Sequence, residues 1–276
     1  MYQLKLRAFG LNKYLPNLDE INIMKRKTIG ILGGMGPEAT VDCFDKIIKN
    51  TPADKDQDHL RVVIDSNPKV PDRTAAIIGD GESPVAVMAD GCRALQRAGA
   101  DFIIIPCVSA HVFLNEVQRQ IELPILSIFD AVADAITRDH PAIIMVGLLG
   151  TTGTVKGGLF QQRIAREGIQ TLVPDEAVQI RIMDAIYDIK SSRPSRTRSE
   201  ITAELVAAAE SLISGKPPGA QGIIAGCTEV PLALKQENLA LPYFDAVAIL
   251  ARAAVLEAGI QPNALRLETE ESKEAG

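Results

Sequence analysis

The chain has 276 residues, 46% hydrophobic and 23% charged, enough for one large domain or two small ones with real cores, and this composition excludes wholesale disorder. Its formal net charge of −6 gives no reason to expect nucleic acid or an anionic membrane as a partner. The four cysteines, at 43, 92, 107 and 227, are too scattered for a disulfide scaffold, and no apolar run approaches the ~20 residues of a membrane span.

Residues 1–24 carry Lys5, Arg7, Lys13, Asp19 and Glu20 and no apolar core, so they read as an N-terminal extension and not as a secretory signal. A cytoplasmic location is the expectation. Residues 28–32 then form an apolar strand that breaks at Gly33-Gly34. A helix follows, with Pro37 in its first turn and Val41, Phe44, Ile47 and Ile48 on one face. Residues 60–64 give a second strand, and 84–98 a helix with Val85, Met88, Cys92 and Leu95 at helical spacing, stopped by Gly99. Residues 102–106 form the strand that leads into Cys107. The second half offers a strand at 143–148, helices at 159–166 and 178–189, a polar basic loop at 191–199, a helix at 201–214, a turn at 215–219 and a strand at 222–225. These strands are unbroken apolar runs, the pattern of parallel sheets covered by helices on both faces. The acidic stretch that begins at Glu268 closes in a frayed tail, 271–276.

The two halves look duplicated. Cys107 ends Phe102-Ile103-Ile104-Ile105-Pro106, and Cys227 ends Gly222-Ile223-Ile224-Ala225-Gly226. Each is followed by a Leu-Pro pair (Leu123-Pro124, Leu241-Pro242) and by an identical Phe-Asp-Ala-Val-Ala, at 129–133 and 244–248. Gly30-Ile31-Leu32-Gly33 echoes Gly147-Leu148-Leu149-Gly150, 77 and 80 residues before the respective cysteines. The expected fold is therefore α/β, with two pseudo-symmetric doubly wound lobes, mostly parallel sheets and an active site in the cleft between them. The Leu-Pro pairs mark the crossings. They give 25–123 plus 242–270 as the first lobe and 124–241 as the second, joined by two hinge strands.

Open α/β sheets bind ligands at the carboxyl ends of their strands, where Cys107 and Cys227 sit. Ser109 and Thr228 read as caps of following helices, and Pro231 fits an early helical turn, so each thiol would face a helix end that favours thiolate. Cys43 and Cys92, on apolar helix faces, read as packing residues. The run Gly34-Met35-Gly36-Pro37-Glu38-Ala39 matches G-x-G-x-x-A, but the acidic residue expected about 20 positions later is missing, since Asp65 lies too far on. The glycines read instead as letting the backbone approach a small anion such as a carboxylate, with Gly150-Thr151-Thr152-Gly153-Thr154 as their counterpart. Arg73, in a loop, could clamp a carboxylate, and Lys190 offers a second cation at a helix end. His111 reads as tuning Cys107 electrostatically, because His59 and His140 lie elsewhere and no metal-ligand cluster forms. Nothing calls for an organic cofactor. Two opposed thiols suit removing a proton from one face of a carbon and returning it to the other. Two rivals are a nucleotide-dependent oxidoreductase built on residues 34–39 and a non-catalytic two-lobed protein that binds small acids.

Taken together, Gly33-Gly34-Met35-Gly36-Pro37-Glu38-Ala39-Thr40, Pro71-Asp72-Arg73-Thr74, Pro106-Cys107 with Ala110-His111, and Gly226-Cys227-Thr228-Glu229 resemble the aspartate/glutamate racemase family over roughly residues 28–260. The resemblance implies racemisation of an acidic amino acid without pyridoxal phosphate, with Cys107 and Cys227 as the two bases. It implies Arg73 and Lys190 as contacts to substrate carboxylates, and Met35, Gly36, Val108, Ser109, Thr152, Thr228 and Glu229 as further lining residues. A small acidic amino acid is the expected partner, and a homodimer is compatible with it. A related cysteine-using isomerase or lyase is the near alternative. One departure stands out. The family usually reads Cys-Asn-Thr-Ala-His where this chain has Cys107-Val108-Ser109-Ala110-His111, so a polar contact is lost and the substrate, more than the chemistry, is put in question.

Overall fold

The computed structural model describes residues 26–215 and 218–263. The expectations for residues 1–24 and 271–276 fall outside them. The first half runs β1 (Ile29–Gly33), α1 (Pro37–Asn50), β2 (Val62–Ser66), α2 (Arg73–Ile78), α3 (Val85–Arg97), β3 (Phe102–Ile104), a 3-10 turn (Ser109–Phe113), α4 (Leu114–Gln118) and α5 (Ile128–Asp139). The second runs β4 (Met145–Gly150), α6 (Thr152–Gly157), α7 (Leu159–Ala165), β5 (Gln170–Leu172), α8 (Glu176–Lys190), α9 (Arg198–Ile213), β6 (Ile223–Gly226), α10 (Val230–Ala233), β7 (Tyr243–Asp245) and α11 (Ala246–Glu257).

Two parallel sheets result, with strand orders β2-β1-β3 and β5-β4-β6-β7. The apolar strands β1, β4 and β6 are buried along their whole length, as sheets with helices on both faces require. Polar caps fix where many helices begin. Asp72, Ser127, Thr151, Asp175 and Asp245 each accept from a first-turn amide, and Thr197 and Glu200 form a reciprocal capping box.

The lobe crossings lie later than the Leu-Pro pairs suggest. Ile103 donates to the Pro124 carbonyl at 2.9 Å and accepts from the Leu126 amide at 2.9 Å, so residues 124–126 extend the first sheet. Likewise β7 pairs with β6 and belongs to the second sheet. Each chain then crosses at a helix cap, Ser127 or Asp245. The α5 helix packs on α7, α11 packs on α1, and α5 and α11 pack on each other. Strand pairing thus puts residues 124–126 with the first sheet and 243–245 with the second.

The identical pentapeptides are not structural equivalents. Phe129 is the second residue of α5, whereas Phe244 lies in β7, one residue before the cap of α11. Measured from each proline, the motif is displaced by three residues (129 − 124 = 5 against 244 − 242 = 2). The Leu-Pro pairs superpose the repeat correctly; the pentapeptide does not.

Candidate active site

β1 delivers the chain to the first loop. Gly34 adopts φ +88°, and a Cβ there would come within 2.4–2.5 Å of the Asn67 backbone. Thr40 closes the turn from below, accepting from the Gly34 amide at 2.9 Å and donating to the Gly36 carbonyl at 3.0 Å. Gly34 thus serves close packing against the chain's own backbone. Gly36 alone faces the opposite lobe, where a Cβ would meet Glu229 Oε1 at 3.3 Å.

Arg73 opens α2, behind the Asp72 cap, and does not sit free in a loop. Its guanidinium donates to the carbonyls of Val70 (3.0 Å), Pro71 (2.9 Å) and Met35 (3.4 Å), tying the first two loops together. Its buried Nε has no partner. Met35 itself is buried, and it is its carbonyl that takes part in this junction.

Cys107 lies three residues beyond β3 and Cys227 directly beyond β6, both 4% exposed. Neither Ser109 nor Thr228 caps a helix. Only a 3-10 turn follows Cys107 and a four-residue helix follows Cys227, and neither start has a side-chain cap. The side chain two residues after each cysteine takes over instead. Ser109 Oγ is 3.7 Å from Cys107 Sγ, and Glu229 Oε2 is 3.0 Å from Cys227 Sγ. Thr228 Oγ1 donates to the same Glu229 oxygen at 3.2 Å, and Lys190 Nζ lies 3.3 Å from the other. Burial, and then the Glu229 charge, push the Cys227 thiol well above its ordinary pKa. Burial pulls the Lys190 pKa down, but the negative charge of Glu229 and of the Cys227 and Cys107 sulfurs outweighs it, and the net shift is upward.

Three of the expected residues are placed as follows. Val108 is 2% exposed within the main hydrophobic core, and Ser109 lines the cleft in its place. Thr152 directs its amide to Met183 Sδ at 3.2 Å, and the neighbouring Thr151 lines the cleft. His111 is buried, with Nδ1 2.9 Å from the Cys107 carbonyl. A carbonyl only accepts, so Nδ1 carries the hydrogen. Burial lowers the His111 pKa to about 4, so the ring is neutral and holds the Cys107 backbone by a hydrogen bond, with no charge to tune the thiol.

Between the lobes, Arg73, Thr74, Ser109, Thr151, Tyr187 and Lys190 enclose a cavity of only about 20 Å³. That holds about one water and no amino acid. The lobes meet beside it, where a Cβ on Gly153 of α6 would come within 3.0 Å of Thr74 of α2. Met183, Ile186 and Tyr187 also face this cavity, seven, four and three residues before Lys190. Helical spacing from Lys190 is the sequence signal that finds them.

Two pseudo-symmetric α/β lobes, each bringing a buried thiol to the carboxyl end of the same strand, define a two-lobed cleft enzyme. Comparison with known proteins supplies the family. The sequence model of the Asp/Glu/Hydantoin racemase family matches residues 32–254, and the chain belongs to that family. The broad specificity amino-acid racemase RacX of Bacillus subtilis (strain 168) is 31% identical over 231 residues, covering 82% of this chain and 96% of the relative. The Picrophilus torridus aspartate racemase superposes with a TM-score of 0.72 at 28% identity, covering 86% of this chain and 96% of that one. An aspartate racemase homologue from Pyrococcus horikoshii OT3 gives 0.65 at 26%, covering 84% and 99%. The chain is an isomerase acting on amino acids.

Proposed function

We propose that this chain racemises an acidic amino acid by two-base proton transfer between Cys107 and Cys227. The carrying observation is that each lobe holds a buried thiol just past a strand end, while Lys190, 3.3 Å from the Glu229 carboxylate that Cys227 contacts, lines the same inter-lobe cavity as Arg73. The cleft opens to admit substrate, whose α-carboxylate meets Lys190 and Arg73. One cysteine, as thiolate, takes the α-proton, forming an S–H bond as the Cα–H bond breaks. Negative charge spreads into the carboxylate, beside those two cations. The opposite thiol then delivers its proton to the other face, and the two sulfurs end with exchanged protonation. Closure around the bound substrate keeps solvent from competing for the carbanion and strengthens the cationic field.

A second reading of the substrate has its own support. Lys190 is already paired with Glu229, so the local charge suits one carboxylate better than two. That favours neutral side chains, in keeping with a relative named for broad specificity. The test is to incubate the purified protein with single amino acids in deuterated water, following α-deuterium incorporation and inversion together. Fastest turnover of aspartate or glutamate supports the first reading, and of neutral amino acids the second. Exchange without inversion would contradict the racemase mechanism itself.

A further inference from the structure

The two lobes place a side chain on each sulfur from the same relative position, two residues after the cysteine, but the chemistry of the two differs. On Cys107 it is the Ser109 hydroxyl, at 3.7 Å; on Cys227 it is the Glu229 carboxylate, at 3.0 Å. A carboxylate accepts hydrogen bonds and repels a neighbouring anion, whereas a hydroxyl can donate as readily as it accepts. We infer that Glu229 is a positioning residue that holds Cys227 in the resting enzyme as the protonated thiol, so that Cys227 is the first acid and Cys107 the first base. This inference rests on the two-cysteine reading and adds an order of use that the duplicated fold does not itself supply.

The surroundings agree with that order. Glu229 is buried, and its two oxygens are divided between partners: Oε2 accepts from Cys227 and Thr228, and Oε1 faces Lys190. Thr228 thus fixes the carboxylate's orientation toward the sulfur. Three titratable groups face Cys227: Glu229 from its own loop, Lys190 from α8 and Tyr243 from β7. The Tyr243 hydroxyl is buried and unpartnered, and burial followed by nearby acidic charge keeps it protonated, so it adds no negative charge. Lys190 acts on Cys227 more than on Cys107 and favours its thiolate, but at Cys227 the Glu229 charge outweighs it. The side chain in contact with each sulfur, Ser109 on one and Glu229 on the other, therefore decides the order. In the first turnover the substrate proton passes to Cys107 and the Cys227 proton passes to the substrate. The new Cys227 thiolate then lies beside the Glu229 carboxylate, with Lys190 the cation next to both.

Iodoacetamide labelling read by mass spectrometry tests the order without relying on activity. The two cysteines are equally buried, at 4% exposure each, so exposure favours neither in labelling. In the native protein near neutral pH, Cys107 should label before Cys227. In Glu229→Gln, the Cys227 labelling profile should move to lower pH, and labelling at neutral pH should rise about tenfold for every pH unit by which the profile moves. The Cys107 profile should stay in place. A Cys227 profile unmoved by Glu229→Gln, or Cys227 labelling first in the native protein, would overturn the inference. The native-protein arm stands even if the variant does not fold. Racemisation that survives loss of either cysteine would instead refute the underlying two-base reading, so the two failures are distinguishable.

Discussion

His111 gives a stability prediction whose sign and size follow from its surroundings. The ring is 2% exposed, stacks at 5.4 Å on Phe129 and donates from Nδ1 to the Cys107 carbonyl. Burial lowers its pKa from 6.5 to about 4 in the folded protein. The unfolded chain therefore takes up a proton that the folded protein refuses, and stability is lost as pH falls from about 6.5 toward about 4. At about 1.4 kcal/mol per pH unit, the full difference approaches about 3 kcal/mol, most of it already lost near pH 4.5. His111→Asn keeps an amide donor close to the position of Nδ1 and cannot titrate. It should be less stable than the native protein near neutral pH, through lost packing on Phe129, but should lose less on acidification. Urea unfolding of both proteins at about pH 7 and about pH 4.5 gives the difference of differences, about 2–3 kcal/mol in the direction stated. Parallel losses in the two proteins would refute the claim that His111 is buried and neutral.

Gly34→Ala should destabilise the first loop by at least about 1–3 kcal/mol, because φ +88° disfavours any Cβ and the Asn67 backbone lies 2.4 Å from it. A lowered urea midpoint together with a fall in turnover is the expected outcome. Val108→Asn should cost about 1–3 kcal/mol of stability by burying an amide in the core, and should leave the preference between acidic and neutral amino acids unchanged. Thermal unfolding and a comparison of kcat/KM across substrates check both halves of that statement.

The alternation of buried strands and helices, the duplication and the placement of both cysteines at strand ends were legible in the residues, because continuous apolar runs and turn residues are local signals. Helical spacing also placed Cys43 and Cys92 in the core, where burial pushes each thiol to about 12. A Leu-Pro pair looks like a break in the sequence, and only the register with Ile103 and Ile223 shows the strand continuing past it. The packing role of Gly34 was not legible, because sequence does not reveal that Asn67 fills the space beside it. Side-chain direction was the least legible quantity. Val108 and Ser109 are adjacent, yet one enters the core and the other the cleft, and a short 3-10 turn decides which. The pairing of Cys227 with Glu229 and Lys190 depends on a residue of α8 that lies 37 positions before the cysteine (227 − 190), beyond the reach of local pattern.

The central claim, that two thiols act on opposite faces of one carbon, is tested most directly with Cys107→Ala and Cys227→Ala in deuterated water. Proton NMR would follow the α-hydrogen of each enantiomer, and chiral analysis would follow inversion. The account predicts that the native protein inverts either enantiomer with deuterium entering at the α-carbon, and that neither folded variant racemises. Substantial racemisation by either variant, at a rate comparable with the native protein, would contradict it.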